Sequence, residues 1–219
     1  MNKKKKGGKH LIVIKIDLEK AYDRLNWAFI RDTLIEMGLP TLMVETIMLC
    51  ILTCSMRILW NGEPTNDFHP SRGICQGDPL SPYIFVACME RLSQLIDKQV
   101  QMGQWTAIKV CKGGPIISNL LFTDDLVLFA GASYGQARVI KGCVDNKFCR
   151  GSGQVNPTKS KILFLRNTME HEMTQIRNIL EIAPTKDLGK YLGVPTVTGQ
   201  VTRVMFQHII DRVENRLSG

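Results

Sequence analysis

Two acidic spots far apart in the chain carry residue types suited to chemistry. Asp17 ends an apolar run, Leu11-Ile12-Val13-Ile14-Lys15-Ile16-Asp17, and Asp124-Asp125 stands between Leu120-Leu121-Phe122 and Leu126-Val127-Leu128-Phe129. Carboxylates set in strand-like apolar segments are costly unless something cationic sits beside them. If the two strands lie side by side, three carboxylates meet at one point, and divalent metal ions are the fitting partner. Paired ions about 3.5–4 Å apart activate an attacking hydroxyl and steady a leaving oxygen. Each spot alone has a plainer reading. Asp17 could cap a following helix, and an Asp pair in a hairpin could only solvate a turn.

The third candidate is Arg72-Gly73-Ile74-Cys75-Gln76-Gly77-Asp78-Pro79-Leu80-Ser81-Pro82. Two glycines allow backbone to approach a planar or phosphorylated ligand. The helix expected just beyond would present partial positive charge to phosphate. Asp78 is placed as its N-cap and Pro79 as its first residue. An ordinary well-capped helix start is the alternative.

The elements that must hold these groups follow from periodicity. His10 to Leu18 reads as a buried strand. A helix follows, with Trp27, Ile30, Leu34 and Met37 on one face, Gly38 at its stop and Pro40 beyond. A second helix spans about Thr41 to Thr53. Met56 to Trp60 is a strand, Asn61-Gly62 a hairpin turn, and Thr65 to His69 a return strand. A long helix runs from Pro79 to Met102. The acidic hairpin comes next, then a helix from Tyr134 to Cys149 and a loop from Arg150 to Pro157. A strand covers Ile162 to Leu165, and a helix Glu170 to Ile182. A hairpin surrounds Tyr191 to Pro195, and a final helix spans Thr202 to Leu217. Mixed elements around a central hairpin argue for α+β, an antiparallel sheet with helices packed on one face.

Composition narrows the classes. The 219 residues are 44% hydrophobic, enough for a sizeable core. Net charge is +8, which favours polyanions such as nucleic acid. Seven cysteines without a Cys-x-x-Cys pair, and four scattered histidines, give no zinc-type spacing. Reduced thiols and an intracellular location, nuclear or cytoplasmic and not secreted, are expected. The stretch Thr41 to Cys54 is interrupted by Glu45, so no membrane span is expected. Residues 1–9, with Lys3-Lys4-Lys5-Lys6, are expected to be a solvated, disordered basic start; a nuclear signal or a phosphate contact is the alternative.

Five segments, taken together and in order, resemble the motifs of reverse transcriptases, specifically those of plant non-LTR (LINE-type) retrotransposons. Ile14 through Lys20-Ala21-Tyr22-Asp23-Arg24-Leu25-Asn26-Trp27 is similar to motif A. Pro70 through Gln76-Gly77-Asp78-Pro79-Leu80-Ser81-Pro82-Tyr83 is similar to motif B. Phe122-Thr123-Asp124-Asp125 is similar to motif C, Val155 to Lys161 to motif D, and Lys190 to Pro195 to motif E, the primer grip. The resemblance implies a palm fold with partial fingers and no thumb. Residues 10–186 would be the palm, and 187–219 the primer-grip hairpin with a C-terminal helix.

The same resemblance implies roles. Asp17 and Asp124 would be the main metal ligands, and Asp125 would complete the carboxylate group around two Mg²⁺ or Mn²⁺ ions. Tyr22 would exclude a ribose 2′-hydroxyl, with a packed core tyrosine as the alternative. Gln76 and Gly77 would touch nucleotide and template. Lys159 would protonate the leaving pyrophosphate, or else be a surface lysine near phosphates. Tyr191, Leu192 and Gly193 would hold the primer end, and Arg72 would contact phosphate. The implied partners are an RNA template, a DNA primer and deoxynucleoside triphosphates. The implied activity is RNA-directed DNA synthesis. The alternatives are a truncated, catalytically inactive transposon remnant that at most binds nucleic acid, and a group II intron maturase. Three departures from the family pattern bear on this. Cys75 stands where an arginine is usual, Thr123 where an alanine is usual, and the loop from Ser152 to Asn156 is one residue shorter. The chain reads as a piece of something longer, with fingers expected before His10 and a thumb beyond Gly219.

Overall fold

The computed structural model describes residues 10–109, 113–122, 125–149, 154–165, 168–192, 194–195 and 207–217. The basic start therefore lies outside the described residues, as do Thr123, Asp124 and Gly193. The first strand, Leu11–Glu19 (β1), leads into a one-turn helix, Ala21–Arg24 (α1). Lys20 makes the corner with φ 48, in the left-handed region. Asn26 then takes extended backbone, and its side chain accepts from the backbone N–H groups of Ala28 and Phe29 at 2.8 and 3.3 Å. That cap starts Trp27–Glu36 (α2) as a separate helix. Met37 is its C-cap and is 50% exposed, so it does not share the buried face expected of it.

Thr41–Leu52 (α3) follows. Its hairpin is shorter than the sequence suggests: Leu59–Trp60 (β2) and Glu63–Pro64 (β3) pair across Asn61 and Gly62, both at positive φ. Those dihedrals are what a two-residue type I′ turn requires. Met56 and Phe68 meet only in an isolated bridge. The long helix is Ser81–Gln101 (α4), beginning two residues later than its sequence signals indicate. Asp78 does cap, but it caps a turn: its Oδ1 accepts from Leu80 N at 2.8 Å. Its backbone carbonyl takes Ser81 N. An Asx turn thus consumes the cap before the helix starts.

A small hairpin, Ile108–Lys109 (β4) with Ile116–Ile117 (β5), precedes Asn119–Phe122 (β6) and Asp125–Gly131 (β7). Tyr134–Lys141 (α5) runs on into a π-helical turn, Gly142–Cys149, where an uninterrupted α-helix was expected. Gln154–Val155 (β8), Lys161–Phe164 (β9), Glu170–Leu180 (α6) and Ala183–Thr185 (β10) come next. Lys190–Tyr191 (β11), Val194–Pro195 (β12) and Gln207–Leu217 (α7) complete the described elements.

The main sheet has the order β10-β9-β1-β7-β6, with β8 also on β1. Its pairings are antiparallel except β10 on β9, which is parallel. The sequence does not announce β10, because Pro184 sits inside it, a residue confined to edges. The architecture is α+β. On β1 the even residues Ile12, Ile14, Ile16 and Leu18 are buried against helices. They meet Ile84, Phe85, Cys88, Leu92 and Ile96 of α4, Ile30 and Leu34 of α2, and Ile140 of α5. Each such side chain contributes about 1.5–3 kcal/mol by leaving water. The odd residues face the other way. There Val13, Val127, Leu163 and Leu188 form a small second cluster joined by Phe129, Leu165 and Tyr191. Asp17 and Asp125 share this sparsely covered face.

Candidate active site

The register of β1 on β7 sets Asp17 directly opposite Asp125. Directly opposed residues of an antiparallel pair have Cβ atoms about 4.5–5.5 Å apart on one face. Two carboxylates so placed repel each other. A cation relieves that repulsion, and one is already beside them. Lys15, two residues before Asp17 and hence on the same face, brings Nζ to 3.5 Å from an Asp125 oxygen. Phe122 lies opposite Asp125 on the other side, where β6 pairs with β7. Asp125 keeps 37% of its side-chain surface in solvent, so a ligand can reach it.

The next turn of chain is tied to Asp17 itself. Asp17 N donates to Ser160 Oγ at 3.0 Å, and Asn156 N donates to Asp17 O at 2.8 Å. The Asn156 side chain in turn accepts from Thr158 N at 3.1 Å and Lys159 N at 3.2 Å. Ser160 is buried, while Lys159 is exposed at the tip. The strand can carry this turn because β8 and β9 both pair with the same edge of β1, leaving 156–160 to arch over the Ile16–Asp17 stretch.

Tyr191 folds back onto this face. Its ring packs on Val13, Val127, Leu163 and Leu188. Burial, and then the negative charge of Asp125, push its phenol pKa up. Leu192 beside it is exposed at φ 51. Gly193 lies outside the described residues.

Tyr22 is half-buried and stacks on Phe85, with centroids 4.6 Å apart and planes 16° from parallel. Its backbone carbonyl accepts from Ile74 N at 3.0 Å. Gly73 N donates to Leu25 O at 2.7 Å, and Trp27 Nε1 donates to Gly73 O at 2.8 Å. The glycine-bearing loop is thereby bolted to the segment just after Asp17. Gly73, at φ 86, permits the approach: a Cβ there would come within 2.7 Å of Asp23 O. Arg72, Gln76 and Gly77 are exposed, and Gly77 has φ 96.

The structure therefore brings Asp17, Asp125, Tyr191 and the base of the Lys159 turn to one face. It ties the Arg72–Gly77 loop to Tyr22, Leu25 and Trp27, on the segment that follows Asp17. Asp124 lies outside the described residues. Among the described residues no group of three or more His, Cys, Asp or Glu forms a metal cluster. The donor set that is present, two opposed hard carboxylates on an open face, fits a divalent cation such as Mg²⁺. Sequence reasoning missed Lys15, Asn156 and Ser160. Lys15 was detectable by strand parity with Asp17; the other two act through backbone bonds that no local pattern announces.

Comparison with known proteins gives a consistent result. Residues 1–196 match the family described as reverse transcriptase (RNA-dependent DNA polymerase). The chain is 30% identical over 198 residues to the Pol polyprotein of retrotransposable element R2DM of Drosophila melanogaster, covering 86% of this chain and 18% of that protein. It is 32% identical over 122 residues to the Pol polyprotein of an R2 element of Popillia japonica, 55% of this chain and 19% of that one. An uncharacterized mitochondrial protein of Arabidopsis thaliana is 48% identical over 65 residues, covering 30% of this chain and 53% of that protein. The chain thus spans about a fifth of these polyproteins' length. In fold it resembles telomerase from Candida tropicalis in complex with a fragment of telomeric RNA. That likeness has a TM-score of 0.58 and 15% identity, and covers 96% of this chain and 34% of that one.

Proposed function

The chain belongs to the reverse transcriptase family, and from that premise we propose that its open sheet face catalyses RNA-templated DNA synthesis. By family it is an RNA-directed DNA polymerase domain of the non-LTR retrotransposon kind. Members of the family generally use divalent metal ions. The observation that carries the reading for this chain is the cross-strand placement of Asp17 against Asp125.

In the proposed reaction a primer 3′-hydroxyl attacks the α-phosphate of a deoxynucleoside triphosphate, and pyrophosphate leaves. Asp17 and Asp125, with Asp124, would hold two Mg²⁺ or Mn²⁺ ions, which would lower the charge barrier at the phosphate and ready the hydroxyl. Lys15 sits where it offsets the Asp125 charge. The backbone bonds from Asn156 and to Ser160 fix Asp17 in position. Lys159, at the tip of that same turn, would give a proton to the departing pyrophosphate. Tyr22, its ring already held by Phe85, would close the space a ribose 2′-hydroxyl needs. Gln76 and Gly77 would meet nucleotide and template, and Arg72 a phosphate. Tyr191, Leu192 and Gly193 would support the primer end next to Asp125. The RNA template and DNA primer would be drawn by the chain's net charge of +8, with the protein working inside the cell.

Primer extension on an RNA template with the longest product of the locus tests the reading. Mg²⁺-dependent incorporation that disappears in Asp17→Asn and in Asp124→Asn, Asp125→Asn is the expected outcome. Incorporation unchanged in those variants would overturn it. One observation favours a second reading, a nucleic-acid binder without catalysis: Cys75 stands where the family pattern has a cation. Salt-sensitive RNA binding that survives loss of all three carboxylates, with no incorporation, would establish that reading instead.

A further inference from the structure

One residue that departs from the family pattern, Cys75, has a partner. Cys75 Sγ lies 3.1 Å from Cys54 Sγ, across 21 residues of chain. Cys54 follows the end of α3 and Cys75 sits in the glycine-bearing loop. Both thiols are half-buried, whereas Cys88 and Cys143 are enclosed in the core. The pair opens onto a cavity of about 280 Å³ lined also by Cys50, Met56, Arg72 and Asp78. A small oxidant can therefore reach it without unfolding. We propose that Cys54 and Cys75 form a reversible disulfide that ties the Cys75–Gly77 turn to the end of α3.

The hydrogen bond with Cys54, then burial, then the charges of Cys54 and Asp78 push the Cys75 thiol up to about 11. Cys75 thus keeps its proton at neutral pH, which casts it as the sulfur of the second, resolving step. The Cys54 sulfur attacks a peroxide oxygen and gives up its proton. An S–O bond forms, the O–O bond breaks, and one water leaves after taking up a proton. The Cys75 sulfur then attacks Cys54 sulfur. The S–S bond forms, the S–O bond breaks, and the hydroxide leaves as water with the Cys75 proton. Two thiols are oxidised and one peroxide is reduced to two waters.

The loop on the near side of Cys75 is already fixed, by the bonds of Gly73 and Ile74 to Leu25 and Tyr22. The cross-link would remove the freedom left to Gln76 and Gly77. Its consequence for nucleotide handling rests on the polymerase reading; the disulfide itself does not.

The test treats the reduced protein with hydrogen peroxide, alkylates the remaining thiols and maps the peptides by mass. The expected result is a Cys54–Cys75 cross-link, reversed by a thiol reductant, retained in Cys50→Ser and absent in Cys54→Ser. Amide exchange at Gln76 and Gly77 should slow in the oxidised wild type and not in peroxide-treated Cys54→Ser. Alkylation of both Cys54 and Cys75 after peroxide, or a Cys50–Cys54 link in place of the expected one, would overturn the proposal. Unchanged exchange would overturn its claim on the loop. Neither readout needs turnover, so a failure of primer extension would count against the polymerase reading and leave this one to its own measurement.

Discussion

In the proposed reaction Asp17 and Asp125 would serve activity at some cost in stability. Each faces a like charge directly across the strand pair, which costs roughly 0.2–1 kcal/mol. Asp125→Asn relieves that repulsion but also gives up the Lys15 contact at 3.5 Å, so thermal stability should change little. Incorporation should fall on the order of 10²-fold or more, the scale of losing one group that stabilises charge in a transition state. Parallel melts and single-turnover extension would check both; a variant losing stability and activity together would indicate mere misfolding. Tyr191 reports on the same carboxylate. Its pKa is raised by burial first and by Asp125 second. A phenol whose folded pKa lies above its unfolded value, about 10, contributes stability that is whole below that pH. The contribution is lost as pH climbs from there through the folded pKa. In Asp125→Asn the ultraviolet titration of Tyr191 should shift toward the ordinary value. A curve that does not move would remove Asp125 from its neighbourhood.

At the scale of elements, the 156–160 turn is the part that holds Asp17 from behind. Ser160→Ala deprives Asp17 N of its acceptor at a buried position. The cost should be about 1–3 kcal/mol, read as a lower denaturant midpoint, with incorporation reduced more than substrate affinity. Gly73→Ala meets both a positive φ and the Asp23 carbonyl. It should cost about 1–3 kcal/mol through strain and slacken the loop carrying Gln76. This is where sequence and structure part. β1, α3, β7 and α6 were legible because long apolar periodicity survives any context. α4 starts later than capping signals predict because Asp78 and Pro79 satisfy the same rules in an Asx turn. β10 was hidden by Pro184, and the π-helical turn after Lys141 carries no composition of its own. Motif residues gave the candidate site its members, and strand parity would have added Lys15. Asn156 and Ser160 stayed hidden because their work is done on backbone atoms of a strand distant in sequence.

For the whole molecule, the sheet divides labour between its faces. The even residues of β1 anchor it to helices, and the odd ones change from apolar at Leu11 and Val13 to charged at Lys15, Asp17 and Glu19. Ile14→Ala, on the anchoring face, should destabilise by about 2–5 kcal/mol without moving the carboxylates from their register, a separation that melts and extension assays on one variant can resolve. A net charge of +8 favours contact with phosphates, so on the proposed reading RNA affinity should fall linearly on a log–log salt plot. A salt-independent affinity would show that the basic residues are not the contact. The most direct measurement concerns the metal. Mn²⁺ titrated into the isotopically labelled protein broadens amide signals near its binding site. The account predicts that broadening centres on Asp17 and Asp125 and vanishes in Asp17→Asn. Broadening centred elsewhere, or unaltered by that substitution, would contradict it.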